Sequence, residues 1–436
     1  MASRMSEPSF TAPEVRFYKL VSGVSAVLDL MSPVIAGHHN RTAYFAGRLA
    51  DVMGLGEKEQ ADLVLAALLH DVGAFTLDTR LNTLAFDSDD VEHMETGYQL
   101  LQIYDSFWNI AEIIHYHHVK YSDFGHVAAH PRHLWLANLL QLADRIDVLV
   151  PRSESGDFDR KAAREIVLAE KSTRFAAEFC DAFEKVWKDD AFWDGVFRED
   201  RFEELTQRIS ARDHMMEFHE LMDSSRLIAH LVDFRSPFTA THSWGVAAVS
   251  EALGRACGMS RKTSECLRLA GYLHDVGKLG IPSELLEKPG KLTDKEFVTM
   301  KGHAYYSNSV LTGVPGLAEI ARWGAQHHER LDGSGYPFQL DSRNLDQGSR
   351  IVAVADVFTA ITEDRPYREG MDRYQAMDVL TDLGTTGALD SSVVKSLGDR
   401  FEELNHHRQL AQRAARDEFD RFSKRVAEAR ESRHDN

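Results

Sequence analysis

Seven residues in the C-terminal half of the chain, His242, His274, Asp275, His303, His327, His328 and Asp356, are imidazoles or carboxylates, the side chains that hold first-row metal ions. One such ion takes about four to six ligands and keeps a place for water or substrate, so seven residues exceed its needs. Two metals sharing a bridging carboxylate fit the set. The adjacent pairs His274-Asp275 and His327-His328 point about 100° apart on a helix. Each pair therefore serves one cavity either from a helix end or with one member directed toward each of two ions. A binuclear site of this kind makes hydroxide at neutral pH and clamps phosphoryl oxygens during in-line displacement. Phosphoester hydrolysis is the reaction class the residues suggest. Taken singly, each histidine reads first as an ordinary core or surface residue; the ordered set carries the argument.

The set is written twice. Leu68-Leu-His-Asp-Val-Gly73 returns as Tyr272-Leu-His-Asp-Val-Gly277, and His38 returns as His242, both 204 positions on. His93 and His117-His118 return as His303 and His327-His328 after 210 positions, and Ala143-Asp144 returns as Ala355-Asp356 after 212. The drift is what loop insertions between preserved helices produce. The flanks echo as well: Asp159-Arg160 with Asp372-Arg373, and Arg201-Phe-Glu-Glu-Leu205 with Arg400-Phe-Glu-Glu-Leu404. Two copies of one unit are expected over 15–205 and 225–405, followed by a charged, solvated helical tail over 406–436.

The elements that must position these residues read as helices. Asp62–His70, Leu134–Asp144 and Ala162–Trp187 are rich in Ala, Leu and Glu, with apolar residues returning at three and four positions. The best strand candidate, Ile351-Val-Ala-Val-Ala, continues through Asp356-Val-Phe-Thr-Ala-Ile and reads equally well as a buried helix. The expected fold class is all-α, two tandem helical bundles, with loops at Pro282, Lys288–Lys291, Asp332–Pro337 and Pro151–Gly156. The 436 residues, 43% apolar, suffice for more than one core. Fifty basic against 68 acidic residues, a net charge of −18, argue against a DNA-binding or membrane-binding surface but leave room for a small cationic cleft. Three cysteines without metal-ligand spacing, no signal-peptide pattern at the start and no long apolar run point to buried thiols and a cytoplasmic protein.

The second copy resembles the HD-GYP family of bacterial cyclic-dinucleotide phosphodiesterases, a branch of the HD phosphohydrolase superfamily. The resemblance rests on His274-Asp-Val-Gly-Lys-Leu-Gly-Ile-Pro282, Lys288-Pro-Gly-Lys-Leu-Thr293, His327-His-Glu-Arg-Leu-Asp-Gly-Ser-Gly-Tyr-Pro337 and Asp364-Arg-Pro-Tyr-Arg368. It implies a helical bundle holding two or three metals, most often iron or manganese, that opens a 3′–5′ linkage of cyclic di-GMP or of 3′,3′-cGAMP in bacterial second-messenger signalling. The seven residues named first match the family's metal ligands, with Asp275 the expected bridge. Lys278 matches the lysine that meets the scissile phosphate, where a cation offsets charge in the transition state. Arg365 and Arg368 match basic residues that hold the substrate's phosphates. Gly335, Tyr336 and Pro337 form the loop that gives the family its name, beside the cleft, and the family's loop is also a proposed docking site for diguanylate cyclases (GGDEF proteins). A homodimer is a further expectation.

Two departures stand out. The glutamate that recruits a third metal in some members is Phe238 here, so two metals are expected. The common arginine three residues after the first histidine is Gly245, which puts a local helix contact in question. A catalytically idle receptor or adaptor acting through the GYP loop, and a general HD nucleotide phosphohydrolase, are the competing readings. The first copy keeps His38, His70, Asp71, His93, His117, His118 and Asp144, a second candidate metal set. Ala74 replaces the lysine there, no GYP loop follows, and Pro151-Arg-Ser153 replaces the basic turn. That copy resembles an HD domain without GYP, and it is open to three readings: a second hydrolase, a metal or nucleotide sensor, or a dimerisation element. His39, His115, His126, His130 and His133 are read as core or surface residues. With no receiver, PAS or GAF segment recognisable ahead of the second copy, regulation is expected to enter through the first copy or a partner.

Overall fold

The computed structural model describes residues 13–31, 36–74, 92–150, 158–194, 204–205, 207–209, 214–235, 240–288, 290–364 and 368–434. Arg365, Phe238 and the Pro151–Gly156 turn lie outside the described residues. The chain divides into two compact units, one built from Arg16–Met215 with Arg421–Asn436, the other from Met216–Asp420 with the segment ending at Val15. Among the described residues the secondary structure is helical, with isolated bridges and no strand. The all-α reading is borne out.

In the N-terminal unit the ligand candidates lie on or just past the ends of α1 (His38–Met53), α2 (Glu57–Leu69), α3 (Glu92–Leu101), α4 (Trp108–His115) and α5 (Pro131–Leu149). Helices α1, α2, α4 and α5 pack on one another. Their inward faces supply the core, including Phe45, Leu49, Leu68, Ile114, Leu139 and Leu142, each no more than 1% exposed. The stretch from Ala162 to Trp187 is two helices, Arg160–Ala169 and Ala177–Val186. They part at a turn in which Ser172 takes a positive φ of 66°.

The C-terminal unit repeats the plan with α6 (Phe218–Asp233), α7 (His242–Ala256), α8 (Arg261–Leu273), α9 (Asp294–Thr312), α10 (Ala318–Ala325) and α11 (Gln347–Thr362). Start signals in the sequence explain where these helices begin. Ser260 accepts from the Thr263 amide at 3.1 Å to open α8, and Asp346 accepts from the Ser349 amide at 2.9 Å to open α11. Thr293 and Glu296 cap α9 reciprocally, the Glu296 carboxylate accepting from the Thr293 amide at 2.7 Å. The strand candidate Ile351–Ala355 lies inside α11. The run is buried on all sides, so its β-branched residues pack in a helix as well as they would in a sheet.

The last helix, α12 (Phe401–His434), runs without a break across residue 406. It is not solvated all round: Arg408, Ala415, Phe422 and Val426 are buried. Cys180 and Cys266 are buried and Cys257 is partly buried, all three as free thiols. No described helix is long and apolar enough to cross a membrane.

Candidate metal centres

Four of the five histidines of the C-terminal cluster come from helix ends. Helix α8 stops at Leu273, His274 is its C-cap and Asp275 opens a 3₁₀ turn over Val276–Gly280. Helix α10 stops at Ala325, two residues before His327, and His242 is the first residue of α7. His303 comes from the middle of α9 and Asp356 from the middle of α11. The turn after Asp275 can lie against α9 because Gly277 has no side chain. A Cβ there would sit 2.0 Å from the His303 carbonyl oxygen. Ser307 fastens the approach, accepting from the Gly277 amide and donating to the His274 carbonyl, both at 2.9 Å.

Asp275 stands at the centre, with its two oxygens facing different imidazoles. Oδ2 lies 3.1 Å from His274 Nε2, while Oδ1 lies 3.4 Å from His303 Nε2 and 3.8 Å from His327 Nε2. His242 Nε2 is 3.1 Å from Asp356 Oδ1. His328 completes a group with His303 and His327. All seven candidate ligands are thus brought together in one unit.

The donor set fits metal ions on three observations. First, His274, His303 and His327 each donate from Nδ1 to the carbonyl three residues earlier, at 2.8, 2.5 and 2.6 Å, which leaves Nε2 as a bare acceptor toward Asp275. Second, His274 Nε2, His303 Nε2 and Asp275 Oδ1 are buried without a hydrogen-bond donor, a costly arrangement that a cation relieves. Third, burial pushes His303 down to about 3 and lowers His327 and His328, holding the rings in the neutral form that ligation requires. Asp275 and Asp356 stay ionised against their burial, Asp275 beside the Lys278 ammonium and Asp356 chiefly through His242.

Two carboxylates that the sequence reading passed over hold this arrangement. Glu363 is 3.2 Å from His242 Nδ1, the nitrogen turned away from the cluster, and accepts from Gln412 Nε2 at 3.0 Å. His242 is held well above its ordinary value; burial opposes its charge, but Glu363 and Asp356 outweigh it. Glu329, third residue of the His327-His-Glu run, is 3% exposed and accepts from the Phe338 and Leu340 amides at 2.7 and 2.9 Å. It ties down the loop containing Gly335, Tyr336 and Pro337. Gly335 lies so close to Glu329 that a Cβ would meet its Cα at 2.5 Å. The Tyr336 ring then packs on His328, centroids 4.7 Å apart. Burial and then Asp275 and Asp356 push its phenol up, so the hydroxyl stays protonated beside the cluster.

Lys278 Nζ bonds Asp275 Oδ2 at 2.5 Å, and although burial disfavours its charge, Asp275 keeps the ammonium above its ordinary value. Arg368 is exposed and donates to the Ala360 carbonyl at 2.7 Å, one turn beyond Asp356 on α11, outside the ligand cluster.

The N-terminal cluster has the same architecture. His38 opens α1, His70 caps α2, and His70 and His117 donate from Nδ1 to the Ala67 and Ile114 carbonyls at 2.9 and 2.7 Å. Asp71 Oδ2 lies 3.5 Å from His70 and 3.7 Å from His38, and Oδ1 lies 3.5 Å from His93. Asp144 Oδ1 is 3.5 Å from His38 Nε2. His118 groups with His93 and His117. Asp147 bonds His38 Nδ1 at 2.7 Å and is held by Arg41 at 2.6 Å. Ala74, fully buried, stands where the other copy has its lysine. Of the extra histidines, His39 is buried against Asp29 and His115 pairs with Glu95 at 2.9 Å.

Profiles of the HD domain match the chain twice, over residues 35–149 and 225–393. The 3′3′-cGAMP-specific phosphodiesterase 1 of Vibrio cholerae is 30% identical over 381 residues, 85% of this chain and 88% of that protein. The chain belongs to the HD-GYP family. A cyclic di-GMP phosphodiesterase of Pseudomonas aeruginosa is 39% identical to it over 141 residues, 32% of this chain and 34% of that protein. A solved cyclic GMP-AMP-specific phosphodiesterase of V. cholerae covers 89% of the HD-GYP chain, and 98% of its own, with a TM-score of 0.61. At 19% identity that likeness shows the shared fold. Divalent metals are the cofactors of this family, and both His/Asp clusters have the donors to hold them.

Proposed function

We propose that the C-terminal unit is a phosphodiesterase that opens a 3′–5′ linkage of a cyclic dinucleotide, cyclic di-GMP or 3′,3′-cGAMP, to give the linear dinucleotide. One observation carries the reading: in a chain aligned along most of its length with a 3′3′-cGAMP-specific phosphodiesterase, Asp275 turns one oxygen to His274 and Lys278 and the other to His303 and His327. 3′,3′-cGAMP is accordingly the first substrate to test.

In this reading His242, His274, Asp275, His303, His327, His328 and Asp356 would hold two divalent ions, iron or manganese. When bound, such ions supply a nucleophilic oxygen at neutral pH and neutralise phosphoryl charge. The chain's own groups do the rest. Lys278 faces the reacting phosphate as a fixed cation and offsets the charge that builds as the phosphorus–oxygen bond to ribose breaks. Arg365 and Arg368 grip phosphate, Arg368 by leaving its Ala360 carbonyl. Tyr336, on the His328 ring, with Gly335 and Pro337, walls the cleft. The N-terminal cluster, with Ala74 in place of the lysine, binds metal and serves regulation rather than this hydrolysis. Diguanylate cyclases docking at the GYP loop, a homodimer and a cytoplasmic setting belong to the same reading; the exposed Phe338 and Tyr305 rings, 6.4 Å apart, offer the loop an apolar contact face.

The test is chromatography of products after incubating metal-loaded protein with each dinucleotide. Linear product from the wild type but not from Asp275→Ala is expected. Intact substrate with a full complement of metal would refute hydrolysis in favour of a receptor. Metal analysis of Asp71→Ala beside Asp275→Ala checks that both clusters hold ions: each variant should lose part of the total.

A further inference from the structure

A cyclic dinucleotide carries two phosphodiesters; the metal cluster with Lys278 accounts for the reacting one, and Arg365 and Arg368 grip phosphate without assignment to either. Against the GYP tyrosine lies a cation that nothing so far employs. Lys301 lies on α9, two residues before His303, and its ammonium sits on aromatic faces, 4.6 Å from the Phe297 ring centroid and 5.0 Å from that of Tyr336. The Tyr336 ring in turn is 4.7 Å from the His328 ring. Two such steps place the Lys301 charge within about 10 Å of a candidate metal ligand.

Its surroundings differ from those of Lys278 and Lys288. Lys278 is bonded to Asp275 at 2.5 Å, and Lys288 is bonded to both oxygens of Glu296 at 2.6 and 2.7 Å. Among the described residues Lys301 has ring faces and no carboxylate within ion-pair distance, in a protein of net charge −18. A ring face holds an ammonium weakly at an exposed site and a phosphate oxygen holds it more strongly, so a ligand phosphate would draw the flexible side chain off the rings at little cost. The surroundings suit a nucleotide: Phe297 is 46% exposed and Tyr305, one turn beyond Lys301, is 54% exposed, leaving π-faces at the rim on which a base can lie.

We infer that Lys301 binds the second, non-reacting phosphate of the cyclic dinucleotide, with the Phe297 and Tyr336 rings as its seat in the free protein. The inference rests on the substrate class proposed above and adds a subsite to it. Lys301 is a binding residue that makes no contact with the reacting bond, so its loss weakens substrate binding and leaves the bond-breaking step alone.

The test compares two substrates on the full-length, metal-loaded protein: the cyclic dinucleotide, and bis(p-nitrophenyl) phosphate, a diester with one phosphate only. Lys301→Met keeps the apolar stem on the rings and removes the charge; Lys301→Arg keeps the charge. For Lys301→Met, KM for the dinucleotide should rise about tenfold or more, with kcat within about twofold, and the dependence of KM on salt should flatten. Lys301→Arg should restore most of the loss. The ratio of kcat/KM for the dinucleotide to that for the monophosphate diester should fall about tenfold, and metal content should match the wild type. An equal loss on both substrates would make Lys301 a structural support and overturn the assignment, as would an unchanged KM for the dinucleotide. A wild type that hydrolyses bis(p-nitrophenyl) phosphate yet leaves both dinucleotides intact would bring down the substrate class first, and the subsite with it.

Discussion

The placement of His303 depends on a backbone approach that one methyl group would forbid. In Gly277→Ala the new Cβ would lie 2.0 Å from the His303 carbonyl oxygen and 2.6 Å from the Ser307 amide nitrogen, against ordinary contacts of 3.4–4 Å. Both neighbours are main-chain atoms of α9, so no side chain can swing aside. The turn and the helix must separate by about 1 Å even to reach the tightest tolerated contact of 3.0 Å. That movement carries His274 and Asp275 away from His303 and stretches the two Ser307 hydrogen bonds. A misplacement of about 1 Å in a reacting constellation costs about 100-fold in rate. Gly277→Ala is therefore expected to lower kcat for the cyclic dinucleotide about 100-fold and to release metal at chelator concentrations that spare the wild type, while circular dichroism shows the helices intact. Gly73→Ala is the internal comparison, because its Cβ would meet the His93 carbonyl oxygen at 2.1 Å. It should deplete metal from the N-terminal cluster and leave the C-terminal cluster loaded. Hydrolysis by Gly277→Ala within about threefold of wild type, with full metal content, would refute the reasoning.

Two further outcomes follow from buried groups. Glu363→Ala removes the carboxylate behind His242 and should weaken metal binding about 10- to 100-fold, read by competition with a chelator, with little change in the N-terminal cluster. His230 is fully buried between Phe234 and Trp244, with ring centroids 4.4 and 5.2 Å away. Burial, then Arg226, push it down to about 3, although Glu418 lies 3.6 Å from Nε2. The unfolded chain takes up this proton near pH 6.5 and the folded one does not, so stability falls as pH drops from about 6.5 toward 3, by up to about 1.4 kcal/mol per pH unit. His230→Phe keeps the stack and should flatten the loss of Tm between pH 7 and pH 5; an unchanged slope would show that other groups set it.

What was legible in the sequence was whatever repeats or has a period. The three-and-four spacing of apolar residues carried the all-α fold, and the doubled His/Asp pattern, with the GYP run, carried the family. Groups that act across the tertiary structure left no such trace. Glu363 and Asp147 are single acids that read as solvated charges, yet both are buried behind the first histidine of their cluster. They are also not at matching positions, since Asp147 lies three residues after Asp144 and Glu363 seven after Asp356. Comparing the copies does not pair them. Glu329 was visible inside a quoted motif, but its task of holding the GYP loop by two amides depends on a fold-back of nine and eleven residues that spacing alone does not specify.

The empty position at Gly245 shows why the two copies diverge there. In the N-terminal cluster Arg41, three residues after His38, donates to Asp147, which holds His38 from behind. At the corresponding place the C-terminal copy has Gly245, and a Cβ there would lie 2.9 Å from Gln412 Nε2 and 2.8 Å from Thr359 Cγ2. The space that an arginine would fill is taken by Gln412, reaching in from α12, and it is Gln412 that donates to Glu363. Arg408, buried one turn earlier on α12, donates to the Gln412 carbonyl oxygen and fixes which end of the amide points inward. The glycine is therefore no gap in the support of His242. It is the condition for a different support, in which a neutral amide from the last helix replaces a guanidinium from the ligand's own helix. Arg408 also bears on Glu363 through its charge, so the support behind His242 still includes a guanidinium, carried by α12 rather than by the ligand's own helix. The segment from Arg408 to Gln412 therefore belongs to the metal centre although it lies beyond the last sequence motif.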